Sequence, residues 1–304
     1  MASSKPSSKS KVAAGTSSKS RVAAKSSKSR TAAAAKTRPH LVFGVVAATT
    51  DAYLGPKVDR FLEWVSKEAG VAIERHEAAS YEALAKDVKK DRVDVAWLPP
   101  IVYVRLAGDV VPCGTIVRGG KDAYETALIV REDSKAKTVA NVRGARAGWV
   151  DRWSAAGFVL PRVNLALLGI DPRTFFRTET FHGSHRAVVR ALVEGACDVA
   201  GTYARTDGKG KAIDGAWSEV EGADVRVLAT FGAIPPDVIA ARSGLPEPLR
   251  LKVWDAFRAA GDDAKARRLV REVFGGDTMR DGLGKSHESL TKALQVATAR
   301  GLFD

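Results

Sequence analysis

The chain has 304 residues, 45% of them hydrophobic and 7% aromatic, enough to bury one large or two medium cores, and no apolar run approaches the length of a membrane-spanning helix. Its formal net charge is +13, but residues 1–39 carry ten of the 48 Lys/Arg and none of the 35 acidic residues, so the remainder stands at +3 and has no nucleic-acid signature of its own. Cys113 and Cys197 sit in apolar runs, five scattered histidines make no H-E-x-x-H pattern, and neither Walker glycines nor a G-x-S-x-G elbow is present, so no disulfide framework, metal site or cofactor is expected.

Residues 1–39 contain one phrase three times: Ser7-Ser8-Lys9-Ser10-Lys11-Val12-Ala13-Ala14, then Ser17–Ala24 with Arg21, then Ser26–Ala33 with Thr31. Such a segment cannot bury enough surface to offset its ordering entropy, so a disordered basic tail is expected. Its longest apolar run, Ala32–Ala35, is too short for a signal-peptide core, which as written suggests a cytoplasmic chain. Two readings of the tail stand side by side. One is a polyanion contact, to nucleic acid or a membrane surface, made by counterion release. The other is a solubilising extension, or a start codon placed upstream of the folded protein.

From Leu41 the pattern changes. Leu41–Val46 reads as a buried strand, Phe61, Leu62, Val65 and Ala69 recur with helical spacing, and Val71–Glu74 reads as a second strand. Ser80 caps a helix running to about Lys90, and Val93-Asp94-Val95-Ala96-Trp97 is a third strand, which together make a parallel α/β pattern. Ala127–Val130 is an apolar strand before the charged Arg131–Ser134, a candidate crossing into a second lobe. Gly148–Phe158 reads as a strand end, a tight connection and the first turn of a helix reaching about Leu168. A helix opening on small residues leaves N–H groups unpaired at its positive end, so this turn is either a seat for a phosphate-like anion or a plain N-cap by Ser154.

Ser184–Asp198 then repeats Ser80–Asp94 at the same length, and Asp-Val-Ala closes each, an internal echo that implies two lobes of similar build. Tyr81 and His185 open the two equivalent helices. Val238–Ala241, after Ile234-Pro235-Pro236-Asp237, is the expected return crossing, and Leu249–Ala260, Asp263–Phe274 and Glu288–Ala299 are helical segments expected to pack on the first lobe. The expected division is a tail over 1–39, lobe 1 over 40–126 plus 238–304, and lobe 2 over 127–237, with a ligand cleft between lobes.

Phe43-Gly44-Val45, Tyr81, Val93–Trp97, Tyr124 before Leu128-Ile129-Val130, Ser154-Ala155-Ala156-Gly157-Phe158 with Pro161, His185, Asp198-Val199-Ala200 and Ile234-Pro235-x-Asp237 occur in this order. Together they resemble the phosphate, phosphite and phosphonate substrate-binding proteins of ABC transporters. The resemblance implies an α/β, two-lobed type II periplasmic-binding-protein-like fold with a two-strand hinge, acting as a monomer beside an ABC permease, in a family normally periplasmic or membrane-anchored. It also implies that Tyr81, Tyr124, Ser154 and His185 hold the ligand oxyanion, with the turn Ser154, Ala155, Ala156, Gly157 as its seat. Ala155 and Ala156 stand where the family has hydroxyl residues, which removes two side-chain donors and leaves the backbone amides and the helix dipole. Arg205 stands near where aminoalkylphosphonate binders carry a carboxylate, which argues against an amine-bearing ligand or places Arg205 on the surface. Asp237 accepts from a ligand hydroxyl or a protonated phosphonate, or caps a strand; Trp97 walls the cleft or packs in the core.

The expected function is capture of a small phosphate- or phosphonate-type oxyanion by lobe closure, with no bond chemistry. The alternative is an intracellular ligand sensor or nucleic-acid-associated protein that uses the same domain with the cationic tail. An enzyme is not expected, because no nucleophile, base and orienting group occur at usable spacing.

Overall fold

The parallel core of the chain begins with β1 (His40–Val46), α1 (Leu54–Ala69), β2 (Ala72–Ala78), α2 (Tyr81–Lys89) and β3 (Val95–Leu98). The computed structural model describes residues 39–46, 54–120, 123–207, 209–299 and 301. The expected tail and its polyanion contact fall on residues 1–39, of which all but Pro39 lie outside the described residues. α1 forms because Val58, Phe61, Leu62, Val65 and Ala69 share one face, which is buried against the sheet. α2 starts where the Ser80 hydroxyl accepts the Ala83 amide at 3.1 Å.

After α3 (Pro100–Arg105) and β4 (Val110–Val117) the chain crosses to β5 (Tyr124–Arg131), β6 (Arg146–Trp149), α4 (Leu160–Leu167), β7 (Thr178–Phe181), α5 (His185–Val193), β8 (Val199–Thr206), β9 (Ala212–Gly215) and β10 (Val225–Ile234). It returns through Pro235–Asp237 into β11 (Val238–Arg242), α6 (Glu247–Asp262), α7 (Ala264–Phe274), β12 (Thr278–Asp281) and α8 (Lys285–Ala299). Lobe 1 is a sheet ordered β12-β4-β11-β3-β1-β2, and lobe 2 a sheet ordered β10-β5-β8-β6-β7 with β9 beside β8. The two-lobed α/β architecture agrees with the sequence expectation.

Two details differ. Ala127–Val130 and Val238–Ala241 are not themselves the crossings: β5 pairs with β8 and β10 from Tyr124 or Glu125 onward, and β11 lies wholly between β3 and β4. The crossings are the segments between Val117 and Tyr124 and between Ile234 and Val238. The second difference is α8, expected on lobe 1. Its Leu290 and Leu294, an i,i+4 pair, are buried in the core of lobe 2 together with Ile101 of α3, and His287 Nε2 donates to Pro236 O in the return crossing at 3.0 Å. The helical period was legible, but the choice of lobe depends on a surface that the local pattern does not encode.

The internal echo is structural. Asp94 Oδ2 accepts the Val42 amide at 2.9 Å, and Asp198 Oδ2 accepts the Arg146 amide at 2.9 Å. Phe43 and Gly44 pair with Val95 and Ala96, and Ala147 and Gly148 pair with Val199 and Ala200, each set displaced by 104 positions. Gly44 lies under Leu84 and Val93, and Gly148 under their counterparts Val188 and Cys197, so each glycine lets its helix approach the sheet. An added Cβ would come within 2.7 Å of a neighbouring side chain at either position. Gly44→Ala and Gly148→Ala are each expected to lower the unfolding free energy by about 1–3 kcal/mol, read by urea denaturation.

Candidate ligand-binding cleft

The first residues of α2 and α5, Tyr81 and His185, sit past the carboxyl ends of parallel strands, the place where open α/β sheets leave a crevice. A cleft of about 450 Å³ lies there between the two sheets. Lobe 1 and the crossings contribute Tyr81, Trp97, Ile116, Arg118, Asp237 and Phe274, and lobe 2 contributes Tyr124, Ser154, Ala155, His185, Tyr203 and Arg205. Of the residues expected from the sequence, Ala156 and Gly157 are not in this lining. Both lie behind it: Ala156 O accepts the Thr126 hydroxyl at 2.6 Å, and Gly157 packs on Val150 and gives its amide to Ser154 Oγ at 3.0 Å.

The Ser154 hydroxyl oxygen caps the helix, as one of the two sequence readings expects, and the residue borders the cleft. Ala155–Val159 is a π turn, with Phe158 and Val159 both donating to Ser154 O at 3.1 and 2.9 Å. Pro161 cannot donate to Gly157 O, which instead accepts the Val150 amide at 3.2 Å. The amides of Ala155 and Ala156 are the first two of the helix and have no acceptor within it, and Ala155 faces the cleft.

Burial pushes the hydroxyls of Tyr81, Tyr124 and Tyr203 above the ordinary tyrosine range, and the negative charge of Asp237 adds to this for the first two, so all three are neutral donors. Burial lowers His185 to about 4, against the opposing pull of Glu219 and Asp237. Its Nδ1 lies 2.9 Å from the Thr202 hydroxyl; with that hydroxyl donating, Nε2–H remains a donor. Trp97 packs edge-on to Phe274 at 4.9 Å, and its buried Nε1 has no hydrogen-bond partner among the described residues. Asp237 does not cap a strand with its carboxylate, because Arg118 donates to it at 2.6 Å while Arg118 Nε donates to Phe274 O at 3.0 Å. Arg205 lies over the Tyr203 ring and pairs with Asp214 at 3.2 Å.

Sequence reasoning missed Arg118 and Tyr203. A cation between the apolar end of β4 and Gly119-Gly120 was the signal for Arg118; Tyr203 sits in β8 beyond the point where the echo was followed. It also missed a contact across the cleft rim. Asp151 lies near Tyr81, Trp153 lies under Arg105 at 4.3 Å, and Trp153 packs against the core of each lobe. Among the described residues no group of His, Cys, Asp and Glu is arranged to hold a metal, and burial pushes both thiols up to about 11.

A family model described as ABC transporter, phosphonate, periplasmic substrate-binding protein matches residues 43–281. The Phosphonates-binding periplasmic protein of Escherichia coli K12 is 25% identical over 241 residues, covering 77% of this chain and 70% of the relative. A binding protein component of an ABC phosphonate transporter from Pseudomonas aeruginosa superposes with a TM-score of 0.74 at 19% identity, over 86% of this chain and 87% of its own. A Prochlorococcus marinus protein in complex with methylphosphonate does so at 0.72 and 13%, over 85% and 98%. With two lobes, a cleft lined by donors from both, and a match running from β1 to β12, the chain belongs to the family of periplasmic phosphonate substrate-binding proteins of ABC transporters.

Proposed function

We propose that this chain captures a phosphonate-type oxyanion in the cleft between its lobes and delivers it to an ABC permease without making or breaking a bond. One observation carries the reading: neutral donors from both lobes, Tyr81 and Trp97 on one wall and Tyr124, Ser154, the Ala155 amide and His185 on the other, border a single cleft. A ligand that bonds to both walls binds the closed arrangement better than the open one and so drives closure. The hydroxyls missing at Ala155 and Ala156 are offset in part by Trp97 Nε1, a buried donor whose unpaired state costs about 1–3 kcal/mol until an acceptor reaches it. The complex of the Prochlorococcus relative with methylphosphonate supports the choice of phosphorus oxyanion.

The test is titration calorimetry, with thermal shift in parallel, against methylphosphonate, phosphite, phosphate, sulfate and methanesulfonate. Selective binding of a phosphorus oxyanion is expected, with a rise in Tm by mass action; binding of the sulfur oxyanions alone would overturn the reading. Tyr124→Phe is expected to weaken that binding about tenfold or more, the loss of one hydrogen bond to a charged group, with the melting temperature of the free protein little changed.

His185 also predicts a pH dependence. The unfolded histidine takes up a proton near 6.5 and the folded one only near 4, so stability is full above 6.5 and falls as the pH drops between these values. The slope from this one group reaches about 1.4 kcal/mol per pH unit. Urea denaturation between pH 4 and pH 8 should show that slope in the parent and its loss in His185→Gln.

A further inference from the structure

We infer that the cleft selects a phosphonate whose organic substituent carries no positive charge, and that Arg118 is the residue setting this preference. The inference rests on the phosphonate reading above and names the substrate class within it. A ligand ammonium group requires a carboxylate not already neutralised by the protein. Among the described residues, four acidic ones border the cleft: Glu125, Glu219, Asp237 and Glu272. Glu219 accepts from Arg186 Nε at 3.0 Å and from the Tyr203 hydroxyl, and Glu272 accepts from Arg268 Nε at 2.9 Å with Arg60 at 3.5 Å. Glu125 alternates with Tyr124 along β5, and its carboxylate is turned to the Thr206 hydroxyl at 2.9 Å.

Asp237 matters most because its charge is felt by Tyr81, Tyr124 and His185, the residues assigned to the oxyanion. Alone, this carboxylate would repel an anion held by those donors and would attract a cationic substituent. Arg118 reverses both tendencies. It reaches from one crossing to the other, anchored by Phe274 O and bonded to Asp237 at 2.6 Å, and a guanidinium cannot deprotonate to release its partner. The pair is largely withdrawn from water, with side chains 26% and 13% exposed, so its charges are held against each other rather than screened. Around it, Trp97, Ile116, Pro236 and Phe274 give an apolar wall, and the cleft of about 450 Å³ is wide enough to take an alkyl or aryl group along with the oxyanion.

Propylphosphonate and 2-aminoethylphosphonate are close isosteres that differ in a terminal methyl against an ammonium, and calorimetric titration of the full chain with both reads the preference directly. The parent is expected to bind propylphosphonate about tenfold or more tightly than the amine. Arg118→Met frees Asp237 and should invert that ratio, and Arg118→Met combined with Asp237→Asn should restore its direction, since neither charge remains. A parent that prefers the amine, or a ratio unchanged in Arg118→Met, overturns the inference. Should Arg118→Met fail to fold with its carboxylate unpaired, Arg118→Gln, which can still donate to Asp237 but carries no charge, is expected to show the same inversion, and an unchanged ratio there overturns the inference. If neither phosphonate binds while methanesulfonate does, the phosphonate reading falls and takes this inference with it; phosphonate binding with the opposite ratio removes the inference alone.

Discussion

An aspartate just before the third parallel strand of each lobe holds that lobe's parallel core in register. Asp94 binds the Val42 amide of β1 and the Arg242 guanidinium of β11, while Asp198 binds both the amide and the guanidinium of Arg146 in β6. That last contact holds the Asp198 carboxyl down to about 2. A carboxylate fixed to a backbone N–H leaves no freedom to slip by a residue, and a slip would turn every side chain of the strand to the wrong face. With strands β1 and β3 locked in one lobe and β6 and β8 in the other, α2 and α5 must emerge at matching heights. Tyr81 and His185 thereby face the same space from opposite sides.

Two short crossings join the lobes. Each wall is built on a sheet packed against a buried cluster, and the chain between them is short. Arg118 and Asp237 tie one crossing to the other, and His287 of α8 adds a hydrogen bond to the second. These ties lie at the cleft itself, since Arg118, Pro236 and Asp237 all line it.

Much of this was written locally in the chain. The paired Ser-capped helices and the recurring Asp-Val-Ala are short-range patterns with fixed spacing, and each appears in the structure where the pattern put it. What escaped is what depends on partners far apart in sequence. Arg118 meets Asp237 across 119 positions, a distance at which an arginine after an apolar strand looks like ordinary surface charge. α8 has a helical period that any lobe could have used, and Leu290 and Leu294 found their place in the more distant one. Ala156 and Gly157 were expected in the cleft because a helix N-terminus usually presents its first amides together. The π turn before Pro161 instead draws Gly157 and the Ala156 carbonyl backward onto Val150 and Thr126.

The strand order carries a consequence for how the molecule assembles. Every strand of lobe 2 comes from one continuous stretch, Tyr124–Ile234, whereas β11, made only afterwards, is the strand that joins β3 to β4 in the other sheet. During synthesis the second sheet can therefore be complete while the first is still two unconnected fragments, β1, β2 and β3 on one side and β4 on the other. The lobe that starts the fold finishes last. Until residues 238–242 emerge, the exposed edges of β3 and β4 are the places where a nascent chain would be most open to mispairing.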